Sequence, residues 1–326
     1  MLYDDAYLAR IEGLIRAHLP LWELPADAAL SLLAISENAT FRASAPGRDL
    51  VLRVYRPGYH GTAEISSELA WIAALRAEAV VPTPAILPAR DGRALVEIDD
   101  AGTPRRITAF AFVPGAEPRE GDDLPRWFHR LGAIHARLHA HARRWRRPDG
   151  FTRKVWDFES MLGARPLWGD FRAAPGLDEP GRALLERTAR VLQARLAPLS
   201  TPDSFGLVHA DLRLANLLVE GDDLTLIDFD DCGFSWYLYD FAAAVSFIEH
   251  TPVVPALKAA WMEGYRTLAP LPADAGARLD VLVMLRRMLL TAWIASHAET
   301  PTARSMGEPY THGTLALAED FLARMG

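Results

Sequence analysis

Apolar residues recur at helical spacing over residues 5–19, which predicts an amphipathic helix at the start of the chain. The pattern then changes to short apolar or alternating runs, separated by turn residues such as Pro46-Gly47. A helix with Thr62 as its N-cap is expected to interrupt these runs. The first third therefore predicts a small antiparallel sheet with one packed helix. Its strands are expected at 29–35, 39–44, 49–55, 93–98 and 105–112.

Beyond Val113-Pro114-Gly115, helical periodicity dominates the chain. The exception is the segment 205–228, where short apolar runs alternate with polar turns. Strands followed by helices predict an α+β protein in two lobes. The boundaries are expected at 1–112 for an N-terminal lobe, 113–116 for a hinge and 117–326 for a C-terminal lobe. The helices of the second lobe are expected near 121–141, 179–197, 236–248, 255–267, 276–297 and 312–324.

Composition removes several classes of protein. The net charge of −7 over 326 residues argues against a nucleic-acid binder, which needs a basic excess. The basic run 143–147 follows a long helical pattern, so a solvated helix end or a contact between the lobes explains it better than RNA binding. Cys232 is the single cysteine of the chain, which excludes an intramolecular disulfide and suits a reducing compartment.

Membrane association is not expected either. The first residues are acidic where a secretory signal would be basic and then apolar. The most apolar stretch, 281–295, is interrupted by Arg286 and Arg287, so a simple membrane span is excluded. The sequence therefore predicts a soluble, cytoplasmic protein, as a monomer or a homodimer.

The residues that carry chemistry lie at 208–219 and 226–231. Asp211, Asn216 and Asp228 stand beside apolar, strand-like runs, where an uncompensated carboxylate is expensive to desolvate. Such groups usually persist because a cation or a reactive proton needs them. Asn216 and Asp228 offer oxygen donors that suit a hard ion such as Mg²⁺. Asp211 can accept or orient a hydroxyl proton.

The spacing of these residues is similar to that of kinases. The run from His209 to Asn216 has the form His-x-Asp-x-x-x-x-Asn, and Asp228-Phe229 follows one hairpin later. The chain resembles the aminoglycoside phosphotransferase and choline kinase superfamily, especially its homoserine-kinase-like and stress-response-kinase branch. The resemblance implies a protein-kinase-like fold, with Asp211 as the catalytic base or hydroxyl-orienting residue. It also implies that Asn216 and Asp228 are the metal ligands.

The same resemblance implies a nucleotide site in the N-terminal lobe. The turn with Ser36, Asn38 and Thr40 is expected to cover the phosphates, although it lacks the glycines of protein kinases. Arg53 stands where the family most often has a phosphate-binding lysine, and Glu68 is its expected partner. Arginine keeps the charge but differs from lysine in reach and geometry. The alternative for these two residues is an ordinary surface ion pair.

Three further features complete the predicted site. Phe110 and Phe112 are expected to flank the hinge against which the adenine ring packs. Asp240 resembles a family aspartate that opens the next helix, and its expected role is an N-cap. His135 and His139 have a zinc-like spacing, but no Glu or Cys completes a site nearby.

The sequence therefore predicts an ATP- and Mg²⁺-dependent kinase that phosphorylates a hydroxyl of a small molecule. A Ser/Thr protein kinase of the stress-response type is one alternative. Ala210 and the short segment from Asp228 to Asp240, which has no Ala-Pro-Glu motif, argue against a eukaryotic-type protein kinase. A non-catalytic nucleotide-binding regulator is the other alternative, because of Arg53 and the glycine-free turn. Amino sugar, amino alcohol, homoserine, choline and macrolide acceptors all remain open.

Overall fold

The computed structural model describes residues 5–35, 38–119 and 121–325. The chain divides into two compact units, which we call the sheet unit and the helical unit. The sheet unit contains the described residues up to Ala116, with Arg147–Thr152 and Leu218–Asp230. The helical unit contains the described residues of 117–146, 153–217 and 231–326.

A six-stranded sheet organises the sheet unit. Its strands run in the order β1-β2-β3-β6-β4, with β5 paired to β6, and every pairing is antiparallel. The elements are α1 (Asp5–His18), β1 (Ala29–Ile35), β2 (Ala39–Ala45), β3 (Arg48–Val54), α2 (Thr62–Ala77), β4 (Ile86–Leu87), β5 (Leu95–Asp100) and β6 (Thr103–Ala111).

The core of the sheet unit lies between the sheet and α1. Ile11 and Ile15 of α1 pack in one cluster with Leu50, Leu52 and Val54 of β3. Because side chains alternate along a strand, this packing leaves the intervening positions of β3 for the opposite face.

Helix α2 begins one residue earlier than the sequence suggested. The N-cap is Gly61 rather than Thr62, which is the first helical residue. The Glu64 carboxylate accepts a hydrogen bond from the Gly61 amide at 2.9 Å, which is the contact that the N3 residue makes in a capping box.

Helices dominate the helical unit. Two short ladders accompany them: β7 (Phe205–Val208) pairs with β10 (Gly233–Trp236), and β8 (Leu217–Glu220) forms a hairpin with β9 (Asp223–Leu226) that lies largely in the sheet unit. The helices are α3 (Leu124–Arg144), α4 (Phe158–Met161), α5 (Glu179–Leu196), α6 (Tyr239–Ala244), α7 (Val254–Arg266), α8 (Ala275–Ser296) and α9 (Pro301–Met325).

The predicted fold class is confirmed: an antiparallel sheet region precedes a mainly helical one. The sequence pattern did not predict strands β4 and β10, and α9 begins eleven residues before the predicted 312, with its helix interrupted at Gly307. The lobe boundaries with a hinge at 113–116 stay a prediction. Among the described residues, no helix is long and apolar enough to cross a membrane.

Helices α3 and α7 approach each other closely because glycines lie at their contact. A Cβ atom on Gly264 of α7 would overlap the carbonyl oxygen of His129, and one on Gly132 of α3 would overlap that of Trp261. These obstacles are backbone atoms, which cannot swing away as side chains do. The two glycines are therefore required by packing rather than by backbone conformation.

We expect Gly264→Ala to destabilise the protein by roughly 1–3 kcal/mol, the usual penalty for overpacking a core. Gly13→Ala is the matched control, because Gly13 lies within α1 and a Cβ atom added there would have no neighbouring atom within 4 Å. The control should leave the melting temperature unchanged or slightly raised, since alanine favours a helix. Equal melting temperatures for wild type and Gly264→Ala would contradict the close packing.

Candidate active site

Arg53 is the centre of a charge network in the sheet unit. Its neighbours Leu52 and Val54 lie in the core, so the Arg53 side chain leaves the opposite face of β3, as alternation requires. Its Nη1 donates to Glu68 Oε1 at 2.7 Å, and its Nη2 donates to Asp228 Oδ1 at 2.9 Å. The Glu68 side chain is 0% exposed, so the alternative of a surface ion pair is wrong.

Burial and charge act in opposite directions on Arg53. Desolvation lowers the pKa of a buried guanidinium, because it penalises the charged form. The carboxylates of Glu68 and Asp228 outweigh this effect and raise the pKa well above its ordinary value. Arg53 is therefore a permanent cation, held at the face of the sheet.

The segment Asp228-Phe229 is fixed to α2. The Phe229 ring packs edge-on against Trp71 of that helix, with 5.5 Å between the ring centroids. Asp228 has φ 62°, in the left-handed region that aspartate tolerates better than most residues. Arg53 holds Oδ1 of Asp228, and 41% of the side chain is exposed, so a cation can approach the carboxylate from solvent.

His60 is a neighbour of this segment that the sequence did not reveal. Its Nδ1 lies 3.5 Å from Glu64 Oε2, and its Nε2 lies 3.6 Å from Asp230 Oδ2. Asp230 is buried, and its Oδ1 lies 4.0 Å from Arg53 Nη1. No motif signals His60, because its partner Asp230 comes from a distant part of the chain.

The turn between β1 and β2 is described only in part. Ser36, a predicted phosphate contact, lies outside the described residues. The Asn38 side-chain oxygen accepts a hydrogen bond from the Arg56 amide at 3.2 Å, which ties the turn to the end of β3. Thr40 lies directly opposite Arg53 in the β2–β3 ladder. Contacts of Asn38 and Thr40 with phosphates stay predictions.

Two aromatic rings lie near cations at the end of β6. The ring centroid of Phe110 is 5.4 Å from the Arg53 guanidinium carbon, and that of Phe112 is 3.9 Å from the corresponding atom of Arg42. The Phe112 amide donates to the Asp49 carbonyl at 3.4 Å. The packing of an adenine ring against Phe110 and Phe112 stays a prediction.

Asp211 and Asn216 contact each other in the helical unit. A single turn of 3₁₀ helix, Leu214–Asn216, brings the amide back toward the carboxylate. Asn216 Nδ2 donates to the Asp211 carbonyl at 2.7 Å and to Asp211 Oδ2 at 3.0 Å. This orientation presents the amide oxygen, rather than the amide nitrogen, as the group available to a metal ion, so the donor set fits a hard cation.

Arg286 of α8 holds the other oxygen of Asp211. Its Nη2 donates to Asp211 Oδ1 at 2.5 Å, and the arginine is 2% exposed. The sequence contained a signal for this contact, because two arginines in the apolar stretch 281–295 need buried partners. The same signal excludes a simple membrane span, but it does not identify Asp211 as the partner.

Asp240 anchors the loop that carries Asp211, and its predicted role as an N-cap is wrong. Helix α6 has Leu238 as its N-cap, and Asp240 is the second helical residue. The fully buried carboxylate accepts hydrogen bonds from the Ala210 amide at 2.8 Å, the His209 amide at 3.4 Å and His139 Nε2 at 2.9 Å. These donors compensate its desolvation.

The groups around Asp240 have strongly shifted pKa values. Burial acts to raise the pKa of Asp240, but His135 and the hydrogen bond from His139 prevail and lower it to about 2. Burial lowers the pKa of His139. Both His139 ring nitrogens contact protein groups, because Nδ1 lies 3.1 Å from the Tyr265 hydroxyl. His139 is therefore a structural residue of the core.

We expect Arg53→Met to destabilise the sheet unit by roughly 3–5 kcal/mol, because it leaves the buried Glu68 carboxylate without its cation. The double variant Arg53→Met/Glu68→Met should recover most of this loss, since the buried charge of Glu68 is removed as well. Arg93→Met, which removes an exposed pair with Asp91, is the control and should not change the unfolding temperature. A double variant no more stable than Arg53→Met would contradict the buried pair.

Comparison with known proteins identifies the family. The model of the phosphotransferase enzyme family matches residues 31–275. A solved structure of a microcompartment-associated aminopropanol kinase is 44% identical, covers 96% of this chain and 98% of its own, and superposes with a TM-score of 0.89. The amicoumacin kinase of Bacillus subtilis is 25% identical over 72% of this chain and 68% of its own.

A second solved structure has the same fold. It is an amicoumacin kinase in complex with AMP-PNP and Ca²⁺, with a TM-score of 0.78 and 21% identity over 99% of this chain and 94% of its own. The aminopropanol kinase and the amicoumacin kinase of Bacillus subtilis support the prediction that the chain is a kinase of a small molecule. They give no support to the alternatives of a protein kinase or a non-catalytic regulator. The chain therefore belongs to the phosphotransferase enzyme family, as a kinase that transfers a phosphoryl group from a nucleotide to a hydroxyl of a small molecule.

Proposed function

We propose that the chain is an aminopropanol kinase, which uses Mg²⁺ and ATP to phosphorylate the hydroxyl of this amino alcohol. The observation that carries the proposal is the 44% identity to an aminopropanol kinase over nearly the whole of both chains. Phosphoryl transfer depends mainly on positioning the reactants and on neutralising charge. Because the whole fold positions the acceptor, likeness over the whole chain supports a shared acceptor. Amicoumacin is the alternative acceptor suggested by the more distant relative.

Each polar residue of the site has a role in this proposal. Asp211 accepts the acceptor's hydroxyl proton as the acceptor oxygen bonds to the γ-phosphorus and the bond to the ADP oxygen breaks. Asn216 and Asp228 are the magnesium ligands, and magnesium supplies neutralisation of the phosphate charge. Arg53 contacts the phosphates and Glu68 holds it in place. A related kinase structure contains AMP-PNP and Ca²⁺, which supports the use of a nucleotide and a divalent cation.

We expect release of ADP with aminopropanol to exceed that with ethanolamine, choline, homoserine and amicoumacin, measured as kcat/KM in a coupled assay with Mg²⁺ and ATP. Asp211→Asn is the control for the chemistry, and its kcat with aminopropanol should fall by roughly 10²–10⁴-fold. A higher kcat/KM with another acceptor would contradict the proposal that aminopropanol is the substrate. Full activity of Asp211→Asn would contradict the proposed base.

The metal assignment has its own test. Asp228→Asn keeps the shape of the side chain but removes the charge that a magnesium ion needs, so the Mg²⁺ concentration for half-maximal activity should rise by at least tenfold, roughly 1.4 kcal/mol of binding free energy. The matched control is Asp222→Asn in the β8–β9 turn, which should titrate like the wild type. An unchanged magnesium titration for Asp228→Asn would exclude it as a ligand.

A further inference from the structure

Arg286 lies in the middle of α8, yet all its nitrogen atoms contact groups that surround Asp211. Nε donates to Ser246 Oγ at 2.9 Å, and Nη1 donates to the Tyr239 hydroxyl at 3.0 Å and to the Ala210 carbonyl at 3.4 Å. Nη2 donates to Asp211 Oδ1 at 2.5 Å. With 2% exposure and each nitrogen engaged, Arg286 is committed to these protein groups rather than to a substrate.

The backbone beside Asp211 is held from two sides. Ala210 has φ 66°, a left-handed conformation that costs a non-glycine residue free energy. Its amide donates to Asp240 and its carbonyl accepts from Arg286, so a buried charge holds the peptide group on each side of the Ala210 Cα atom. A third residue, Asn216, donates to Asp211 Oδ2, so the carboxyl group cannot rotate without losing a contact.

We propose that Arg286 is a positioning residue, which fixes the plane of the Asp211 carboxylate and directs Oδ2 at the acceptor hydroxyl. The inference rests on the proposed role of Asp211 as the base. The 2.5 Å contact with the guanidinium engages Oδ1, whereas the contacts of Oδ2 are longer, at 3.0 Å from Asn216 Nδ2 and 3.6 Å from Arg213 Nε. Oδ1 is therefore the weaker acceptor of a further hydrogen bond. The acceptor hydroxyl therefore donates to Oδ2, and its proton passes to that oxygen as the bond to phosphorus forms.

Arg287 shows that a buried arginine at the next position has a different task. It is equally buried, and it donates to Glu249 at 3.0 Å, to Thr314 at 2.8 Å and to the Tyr310 carbonyl at 2.8 Å. These contacts fasten α8 to α9 and to the turn after α6, and none of them involves Asp211. Arg287 is therefore a matched control for the loss of a buried cation from the same helix.

The test is a double-mutant cycle between Arg286 and Asp211, with Arg286→Lys and Arg286→Met. Misplacement of a catalytic group by about 1 Å can lower a rate roughly 10²-fold, and we expect this loss of kcat for Arg286→Met with the ATP KM unchanged. Arg286→Lys should lose about tenfold, because lysine keeps the charge but cannot reproduce the planar contacts. The Arg286→Lys variant also allows the test if Arg286→Met does not fold. Arg287→Lys should lower the melting temperature while leaving kcat within about threefold of wild type.

The decisive comparison is made in the Asp211→Asn background. If Arg286 acts through Asp211, Arg286→Lys should lower kcat by less than about threefold there, because the group it positions is already lost. The same tenfold loss in both backgrounds would show a merely structural role and overturn the inference. Full activity of both Arg286 variants beside a defective Asp211→Asn would also overturn it. Full activity of Asp211→Asn itself would instead contradict the proposed function.

Discussion

The position of Asp211 in the helical unit depends on the hydrogen bonds that the buried carboxylate of Asp240 accepts. This carboxylate has no exposed surface, and it stays ionised because amides and an imidazole donate to it. Two of those donors are consecutive amides of the loop that leads to Asp211, so the charge that the core must satisfy also fixes the loop. Removing the carboxylate would leave buried amides without an acceptor, which couples folding of the core to the geometry of the base.

In the sheet unit the buried charge at the centre of the network is a cation rather than an anion. Arg53 lies at a face of the sheet, where it pairs with the fully buried Glu68 and, through its other terminal nitrogen, with Asp228. Arginine at this position allows one side chain to hold both carboxylates with separate nitrogens. The contact of Arg53 with nucleotide phosphates, in place of the lysine that the resemblance implies, stays a prediction.

How much the sequence predicted depends on the range of the interactions. The strands around Arg53 and the helices were predictable because apolar periodicity is local. The roles of Asp240 and Arg286 were not, because their partners come from other segments and no local pattern records them. Arg286 and Arg287 are recognisable in the sequence as two charges in an apolar helix, but this pattern does not identify the groups that they contact. The N-cap of α2 was misassigned by one residue, because Gly61 and Thr62 are both plausible caps.

Identification of the phosphorylated product tests the central claim most directly. A phosphorus NMR spectrum of the wild-type protein with ATP, Mg²⁺ and aminopropanol should show ADP and one new phosphomonoester, whose signal is coupled to hydrogen on the carbon that bore the hydroxyl. A spectrum with ADP and inorganic phosphate alone, or with phosphorus bonded to the amine, would contradict a kinase that transfers the phosphoryl group to the hydroxyl of this acceptor.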